Sequence, residues 1–132
     1  MVAALGKAPQ LKLMIVDDSR IIRRKIARCL EEHDLDVIGR ASNGVEAVQI
    51  FQAGQPDLVT MDLTMPEMDG IQCIEEILKI DPDLKILVVS ALADKATAIE
   101  AMKKGAHGFL CKPFTEAQIT DALSKLVVGV AA

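Results

Sequence analysis

Short apolar runs alternate with amphipathic stretches along most of the chain. Five runs have the length and composition of buried strands, and they cover residues 11–16, 35–41, 57–61, 85–89 and 108–111. The run at 57–61 has apolar residues on both faces, which is typical of a parallel strand inside a sheet.

Helical spacing of apolar residues follows each run. After the first, Ile22, Ile26 and Leu30 recur every four positions. Gly105 is a natural end for the fourth helix, and Thr115 is a natural N-cap for the fifth. The predicted helices cover residues 20–32, 44–53, 71–80, 94–104 and 116–127.

Five strands that alternate with five helices predict an α/β fold. Such alternation gives a doubly wound parallel sheet with helices on both faces and right-handed crossovers. The 132 residues are enough for one hydrophobic core. We expect one domain at 11–128, an N-terminal extension at 1–10 and a C-terminal tail at 129–132.

Composition narrows the class of partner. The net charge of −4 argues against a nucleic-acid surface. We therefore interpret the cations of the first helix as a face exposed to solvent. These cations are Arg20, Arg23, Arg24, Lys25 and Arg28. No apolar run is long enough for a membrane span, and residues 1–10 do not resemble a signal peptide, so we expect a cytoplasmic protein with no membrane contact.

The cysteines are Cys29, Cys73 and Cys111, an odd number without a Cys-x-x-Cys spacing. They are predicted to be reduced thiols that serve as small core residues, not metal ligands.

Polar side chains follow four of the five predicted strands. Asp17 and Asp18 follow the first strand, Asp62 the third, Ser90 the fourth and Lys112 the fifth. Taken singly, each has an ordinary explanation as a helix cap, a turn residue or a solvated lysine. The carboxyl ends of parallel strands share one edge, where ligands bind at the point of strand-order reversal. Together the residues therefore predict one shared site.

Three clustered carboxylates repel one another, so their ionisation requires positive charge nearby. Lys112 supplies one charge, and a divalent cation supplies two more. Carboxylate ligands suit Mg²⁺, with Mn²⁺ as the alternative ion. One carboxylate can then act as a nucleophile toward phosphorus, while Lys112 and Ser90 bind the other phosphoryl oxygens.

In these motifs the chain resembles the receiver domains of bacterial two-component systems. The resemblance covers about residues 11–126. It is carried by Asp17-Asp18, by Met61-Asp62-Leu63-Thr64-Met65-Pro66 with Asp69-Gly70, by Ser90-Ala91, and by Lys112-Pro113-Phe114. It implies a flavodoxin-like fold with strand order 2-1-3-4-5.

The resemblance also implies roles for individual residues. Asp62 would accept a phosphoryl group from a histidine kinase. Asp18, Asp62 and the backbone carbonyl of Thr64 would bind Mg²⁺ directly, and Asp17 through water. Lys112 would bind the phosphoryl group and precede a cis proline. Two further residues match the family's switch pair, namely the hydroxyl of Ser90 and the ring of Phe109.

Within the family, the chain most resembles stand-alone CheY-type chemotaxis regulators. The reasons are the sequence of residues 99–106 and the lack of an output domain. This implies a monomer that is no enzyme beyond its own phosphorylation and slow autodephosphorylation. The implied partners are a CheA-like histidine kinase, an effector such as the flagellar motor switch, and a phosphatase. Phe109 stands where Tyr is common, and Thr64 and Leu92 flank the site, which leaves the dephosphorylation rate open.

A partner surface is predicted beside the fourth helix. Lys95, Ala98 and Met102 share a face by helical spacing, with Ile99 nearer the sheet. The predicted surface adds Phe109 and Lys125. An ordinary solvated helix face is the alternative.

Other functions remain open at this point. Within the family, these are a phosphorelay intermediate that passes its phosphoryl group to a histidine phosphotransferase, and a DNA-binding regulator cut down to its receiver. An aspartyl-phosphate phosphatase would need a second acid at position 64, which is Thr. A flavin module would need an aromatic-rich loop, and none is evident.

Overall fold

Ten elements alternate from strand to helix along the chain. The computed structural model describes residues 11–31, 33, 35–65, 69–91 and 95–131, excluding the side chains of Lys95 and of 127–131. The strands are β1 (Leu11–Val16), β2 (Leu35–Ala41), β3 (Leu58–Met61), β4 (Lys85–Ser90) and β5 (Gly108–Cys111). The helices are α1 (Arg20–Cys29), α2 (Gly44–Gly54), α3 (Gly70–Ile80), α4 (Lys95–Lys103) and α5 (Glu116–Ala131).

The five strands form one parallel sheet in the order β2-β1-β3-β4-β5. This confirms the predicted fold and strand order. The chain moves outward from β1 to β2 and then in the opposite direction from β3 to β5. The order therefore reverses between β1 and β3, and their carboxyl ends flank the crevice of an open α/β sheet.

The two faces of the sheet are covered by different helices. On one face, Met14 and Val16 pack in a core cluster with Phe51 of α2, Ile74 of α3 and Ala101 of α4. On the other face, a second cluster holds alternate residues of β1 and side chains from α1 and α5. Its members include Leu13, Ile15, Ile26, Phe114 and Ile119. Because successive strand residues point to opposite faces, β1 contributes to both clusters.

The ends of several helices follow from local chemistry. Ser19 Oγ accepts a hydrogen bond from the Ile22 N–H, and Thr115 Oγ1 accepts one from the Gln118 N–H, so both residues are N-caps. Gly105 has a φ of 118°, a conformation that favours glycine, and it follows α4 as predicted. No helix in the described part of the chain combines the length and the apolarity that a membrane span requires.

Most predicted bounds agree with the structure within one residue. Two helices end at residues that differ by more, and one strand begins one residue late for a clear reason. Helix α1 ends at Cys29, earlier than predicted, because Leu30 leaves the helical conformation and its N–H bonds back to Ala27 O. Helix α5 continues to Ala131, past the predicted end at 127. Strand β3 begins after Asp57, whose carboxylate accepts a bond from the Lys12 N–H.

Some predictions fall outside the described residues. These are the extension 1–10, Pro66, Leu92, the predicted helix start at 94 and the last tail residue, Ala132. The cysteine prediction is partly wrong. Cys29 and Cys73 are buried, whereas Cys111 is exposed because it ends the edge strand β5.

Candidate functional site

Three carboxylates meet at the carboxyl edge of the sheet. Asp17 follows β1 and donates its N–H to Ala41 O (3.0 Å), and Asp62 follows β3 and donates its N–H to Val16 O (2.9 Å). Both residues therefore extend the sheet pairing by one position. The carboxylate oxygens of Asp17, Asp18 and Asp62 lie within 4.8 Å of one another. The predicted convergence of the acids is confirmed.

Lys112 reaches the same point from β5. Its backbone N–H donates to Ser90 O at 2.9 Å, which fixes the chain as it leaves the sheet. Its Nζ lies 2.7 Å from Asp17 Oδ2 and 3.7 Å from Asp62 Oδ2. The Lys112–Pro113 peptide is cis, as the resemblance implied. The early acids, the middle aspartate and the late lysine thus form one site.

Burial sets the protonation chemistry of this site. Asp17 and Asp62 are only 1% and 4% exposed, while Asp18 is open to solvent. Loss of solvent raises the pKa of Asp62 to about 6, and the charges of Asp17 and, less strongly, Asp18 raise it too. The Lys112 ammonium and the Thr64 N–H, which donates to Asp62 Oδ1 at 3.4 Å, lower this pKa, but their effects are smaller than those of burial and Asp17. Asp62 is therefore mostly ionised at neutral pH but close to its titration range.

The donor set fits a hard divalent cation. Asp17 Oδ1 accepts a hydrogen bond from the Ser19 N–H at 2.8 Å. Asp17 Oδ2 is buried, and among the described residues its one polar neighbour is the Lys112 ammonium at 2.7 Å. A buried oxygen with a free lone pair, next to two more carboxylates, suits Mg²⁺. Asp17, Asp18 and Asp62 are the residues that would hold it, and the predicted Thr64 carbonyl ligand stays a prediction.

The two predicted switch residues lie on neighbouring strands. Ser90 is the last residue of β4, is fully buried, and pairs in register with Cys111 of β5. Phe109 is partly buried on β5, opposite Val88 of β4. Ser90 therefore lies at the carboxyl edge of the sheet, as predicted, while Phe109 lies two residues further from that edge. The switching roles of both residues stay predictions.

The predicted partner surface needs one correction. Helix α4 turns Ala101 into the core, so Ile99, two residues earlier, points away and is 54% exposed. The prediction that Ile99 lies nearer the sheet is wrong. Ala98 is half-buried, Met102 is 43% exposed, and the side chain of Lys95 is outside the described set.

A groove of about 320 Å³ lies along β5 and α5, and its lining includes Phe109 and Lys125. Lys125 also forms an exposed ion pair with Asp121, at 3.2 Å. These two members of the predicted surface therefore line one continuous depression.

Two of the cations on the first helix also contact the loops of the site. Arg23 Nη1 donates to Asp17 O at 2.7 Å. Lys25 Nζ donates to Phe114 O at 2.6 Å and lies 4.4 Å from the centroid of that ring. Both contacts depend on how α1 packs against loops that are distant in the sequence. No local pattern signals them, beyond the excess of cations on the helix.

Comparisons with known proteins agree with this geometry. Residues 13–124 match the family model described as the response regulator receiver domain. The chain is 45% identical to the chemotaxis protein CheY of Thermotoga maritima, over 87% of this chain and 96% of that protein. It is 40% identical to the chemotaxis protein CheY of Bacillus subtilis, over 86% and 95%.

A solved structure gives the same result for the fold. It is a CheX–CheY–BeF3–Mg²⁺ complex from Borrelia burgdorferi, and one of its chains superposes on this one with a TM-score of 0.86. The two are 29% identical, and the match covers 89% of each chain.

Proposed function

The chain belongs to the response regulator receiver family, and from this premise we propose that it is a phosphorylation-activated regulator with Asp62 as its phosphoacceptor. The observation that supports the proposal most directly is the cluster of Asp17, Asp18 and Asp62 beside the Lys112 ammonium. A buried carboxylate between a cation site and an ammonium group is suited to attack phosphorus and then to hold a dianionic product.

Each group has a defined part in the proposed transfer. An ionised oxygen of Asp62 forms the new P–O bond as the P–N bond of a donor phosphohistidine breaks. The electron pair of that bond stays on the histidine nitrogen, which takes a proton from water. A bound Mg²⁺ supplies charge neutralisation for the carboxylates and the phosphoryl oxygens. The Lys112 ammonium, now 3.7 Å from Asp62 Oδ2, binds a phosphoryl oxygen. The chain acts only on itself in this scheme, including a slow autodephosphorylation.

Activation requires more than one new contact. Phosphorylation adds nearly two negative charges at the crevice. Reversing a two-state bias from about 1:99 to 99:1 takes about 5.5 kcal/mol. A hydrogen bond from Ser90 to a charged group contributes only about 1.5–3 kcal/mol. Lys112 and the packing of Phe109 must therefore add to it, or the switch is partial.

We place this regulator in chemotaxis, because curated relatives that match almost end to end are CheY proteins. The proposed phosphodonor is a CheA-like histidine kinase, and the proposed effector is the flagellar motor switch. A phosphatase is the third proposed partner, and the Borrelia structure pairs CheY with CheX alongside BeF3 and Mg²⁺. The proposed compartment is the cytoplasm, where ATP is available to the kinase.

The acceptor is tested by labelling with acetyl phosphate and Mg²⁺, read by intact mass. We expect one phosphoryl group on the wild type and none on Asp62→Asn. Asp57→Asn is the matched control, because Asp57 precedes the same strand but lies at its opposite end. Undiminished labelling of Asp62→Asn would overturn the assignment.

The partners are tested by affinity capture with and without beryllofluoride, a phosphoryl mimic. We expect a motor-switch protein to bind only in its presence. Capture of a histidine phosphotransferase in place of an effector would instead identify a phosphorelay intermediate.

A further inference from the structure

The loop between β5 and α5 carries Lys112 and is fixed at three points. At its start, Lys112 N–H donates to Ser90 O. At its end, Thr115 and Gln118 bond reciprocally and begin α5, with Thr115 N–H donating to Gln118 Oε1 at 2.8 Å. Between these ends, the Phe114 ring is buried and its carbonyl accepts a hydrogen bond from Lys25. That contact ties the loop to α1.

The Lys25 ammonium makes two contacts with Phe114. Its ammonium is a charged donor to the Phe114 carbonyl at 2.6 Å, and the same ammonium lies 4.4 Å from the centroid of the electron-rich ring. The next residue, Ile26, is buried in the same core cluster as Phe114. The helix backbone beside Lys25 is therefore anchored through Ile26, and the tip of the otherwise exposed Lys25 side chain contacts the loop.

Arg23, on the same helix, makes a similar contact with the loop on the other side of the site. Arg23 binds the carbonyl of Asp17, and Lys25 binds the carbonyl two residues after Lys112. Asp17 and Lys112 are the two partners of the 2.7 Å ion pair in the site. One helix, α1, thus fixes the backbone on both sides of that pair.

We propose that Lys25 is a positioning residue for phosphoryl transfer: it anchors the Phe114 carbonyl and ring, and so holds the loop that sets the Lys112 ammonium beside Asp17 and Asp62. This inference rests on the proposed function. Lys25 touches neither the acceptor nor the phosphoryl group. Its loss should loosen capture of the phosphoryl group by Lys112 and leave the three carboxylates in place.

Lys25→Met is the test, because Met keeps the apolar stem and an apolar contact with the ring but cannot donate a hydrogen bond. Lys25→Arg is the rescue variant, since a guanidinium also donates and stacks on an aromatic face. Arg24→Met is the matched control, which removes one exposed positive charge from the same helix. Each protein is measured twice: for Mg²⁺ affinity, and for the rate of Asp62 labelling by acetyl phosphate at saturating Mg²⁺.

We expect Lys25→Met to be labelled roughly three- to tenfold more slowly, with Mg²⁺ affinity within about twofold of the wild type. Lys25→Arg and Arg24→Met should be labelled at nearly the wild-type rate. Wild-type labelling of Lys25→Met, an equal loss in Arg24→Met, or a parallel loss of Mg²⁺ affinity would each overturn the role of Lys25. A wild type that takes no label would overturn the proposed function as well, so the two failures are distinguishable.

Discussion

Replacing Asp62 with asparagine should make the metal-free protein more stable, and increasingly so as the pH rises. Burial, followed by the charge of Asp17, raises the pKa of Asp62 from 3.8 to about 6. A folded-state pKa above the unfolded-state value means that the associated stability is present below about pH 3.8 and is lost as the pH rises through about 6. Asparagine cannot ionise, so the variant escapes this loss.

The size of the effect follows from the shift. A change of about two pKa units corresponds to about 3 kcal/mol once Asp62 is fully ionised, near pH 8. At pH 5 ionisation is largely complete in the unfolded chain and has barely begun in the folded one, so the gap is about 1.5 kcal/mol. The free-energy gap between variant and wild type should therefore roughly double from pH 5 to pH 8.

Urea unfolding with a chelator present, at four pH values from 5 to 8, would measure this gap. The chain has no Trp or Tyr, so far-ultraviolet circular dichroism is the suitable probe. Asp57→Asn is the control for a carboxylate lost away from the site, and its gap should not widen in the same way. If the gap for Asp62→Asn stays constant or narrows with rising pH, the carboxylate is not destabilised by burial and our reading of the site is wrong.

Three further predictions concern the metal, the backbone and the lysine. Mg²⁺ affinity should fall about tenfold from pH 7.5 to pH 5, because Asp62, with a pKa of about 6, must lose its proton to bind; a flat calorimetric profile would contradict this. Gly70→Ala should destabilise the fold by about 2 kcal/mol or more in urea unfolding, since its Cβ would overlap the backbone oxygen of Asp62. Gly54→Ala should lose less than about 1 kcal/mol, because its Cβ would meet only the tip of the Ile38 side chain, and equal losses would refute the argument. Lys112→Ala should still bind Mg²⁺ but should not recruit its partner with beryllofluoride, and retained capture would contradict the proposed part of Lys112.

The sheet and the site were predictable because both depend on repeating patterns. Strand β3 has apolar residues on both faces since all four of its residues are buried, and Asp62 follows it directly. In a parallel sheet, a residue that follows a strand must lie at the carboxyl edge, whichever helices intervene. That rule places Asp17, Asp62 and Lys112 on one edge, and the strand order together with the length of the Lys112 side chain brings them into contact. The strand order came from the family resemblance and not from the periodicity.

The features that sequence reasoning missed depend on packing between distant segments. The spacing of α4 allows several faces to point inward, and the core side is fixed only by the fit of Ala101, which leaves Ile99 exposed. Cys111 lies in an apolar run but ends an edge strand, so it faces solvent. Lys25 looks like any surface cation until α1 is placed against the loop of Phe114.

The 2.7 Å contact between Lys112 and Asp17 affects how strongly the site responds to different ions in solution. The Asp17 carboxylate is almost completely shielded from bulk water, with 1% of its side chain exposed, and the Lys112 side chain is only 15% exposed. Mobile ions in solution screen charges poorly at such depth. A magnesium ion held by the three carboxylates would compete with the ammonium for the negative charge of Asp17. Readiness for signalling should therefore track the free magnesium level of the cell and stay nearly indifferent to osmotic swings in potassium or chloride.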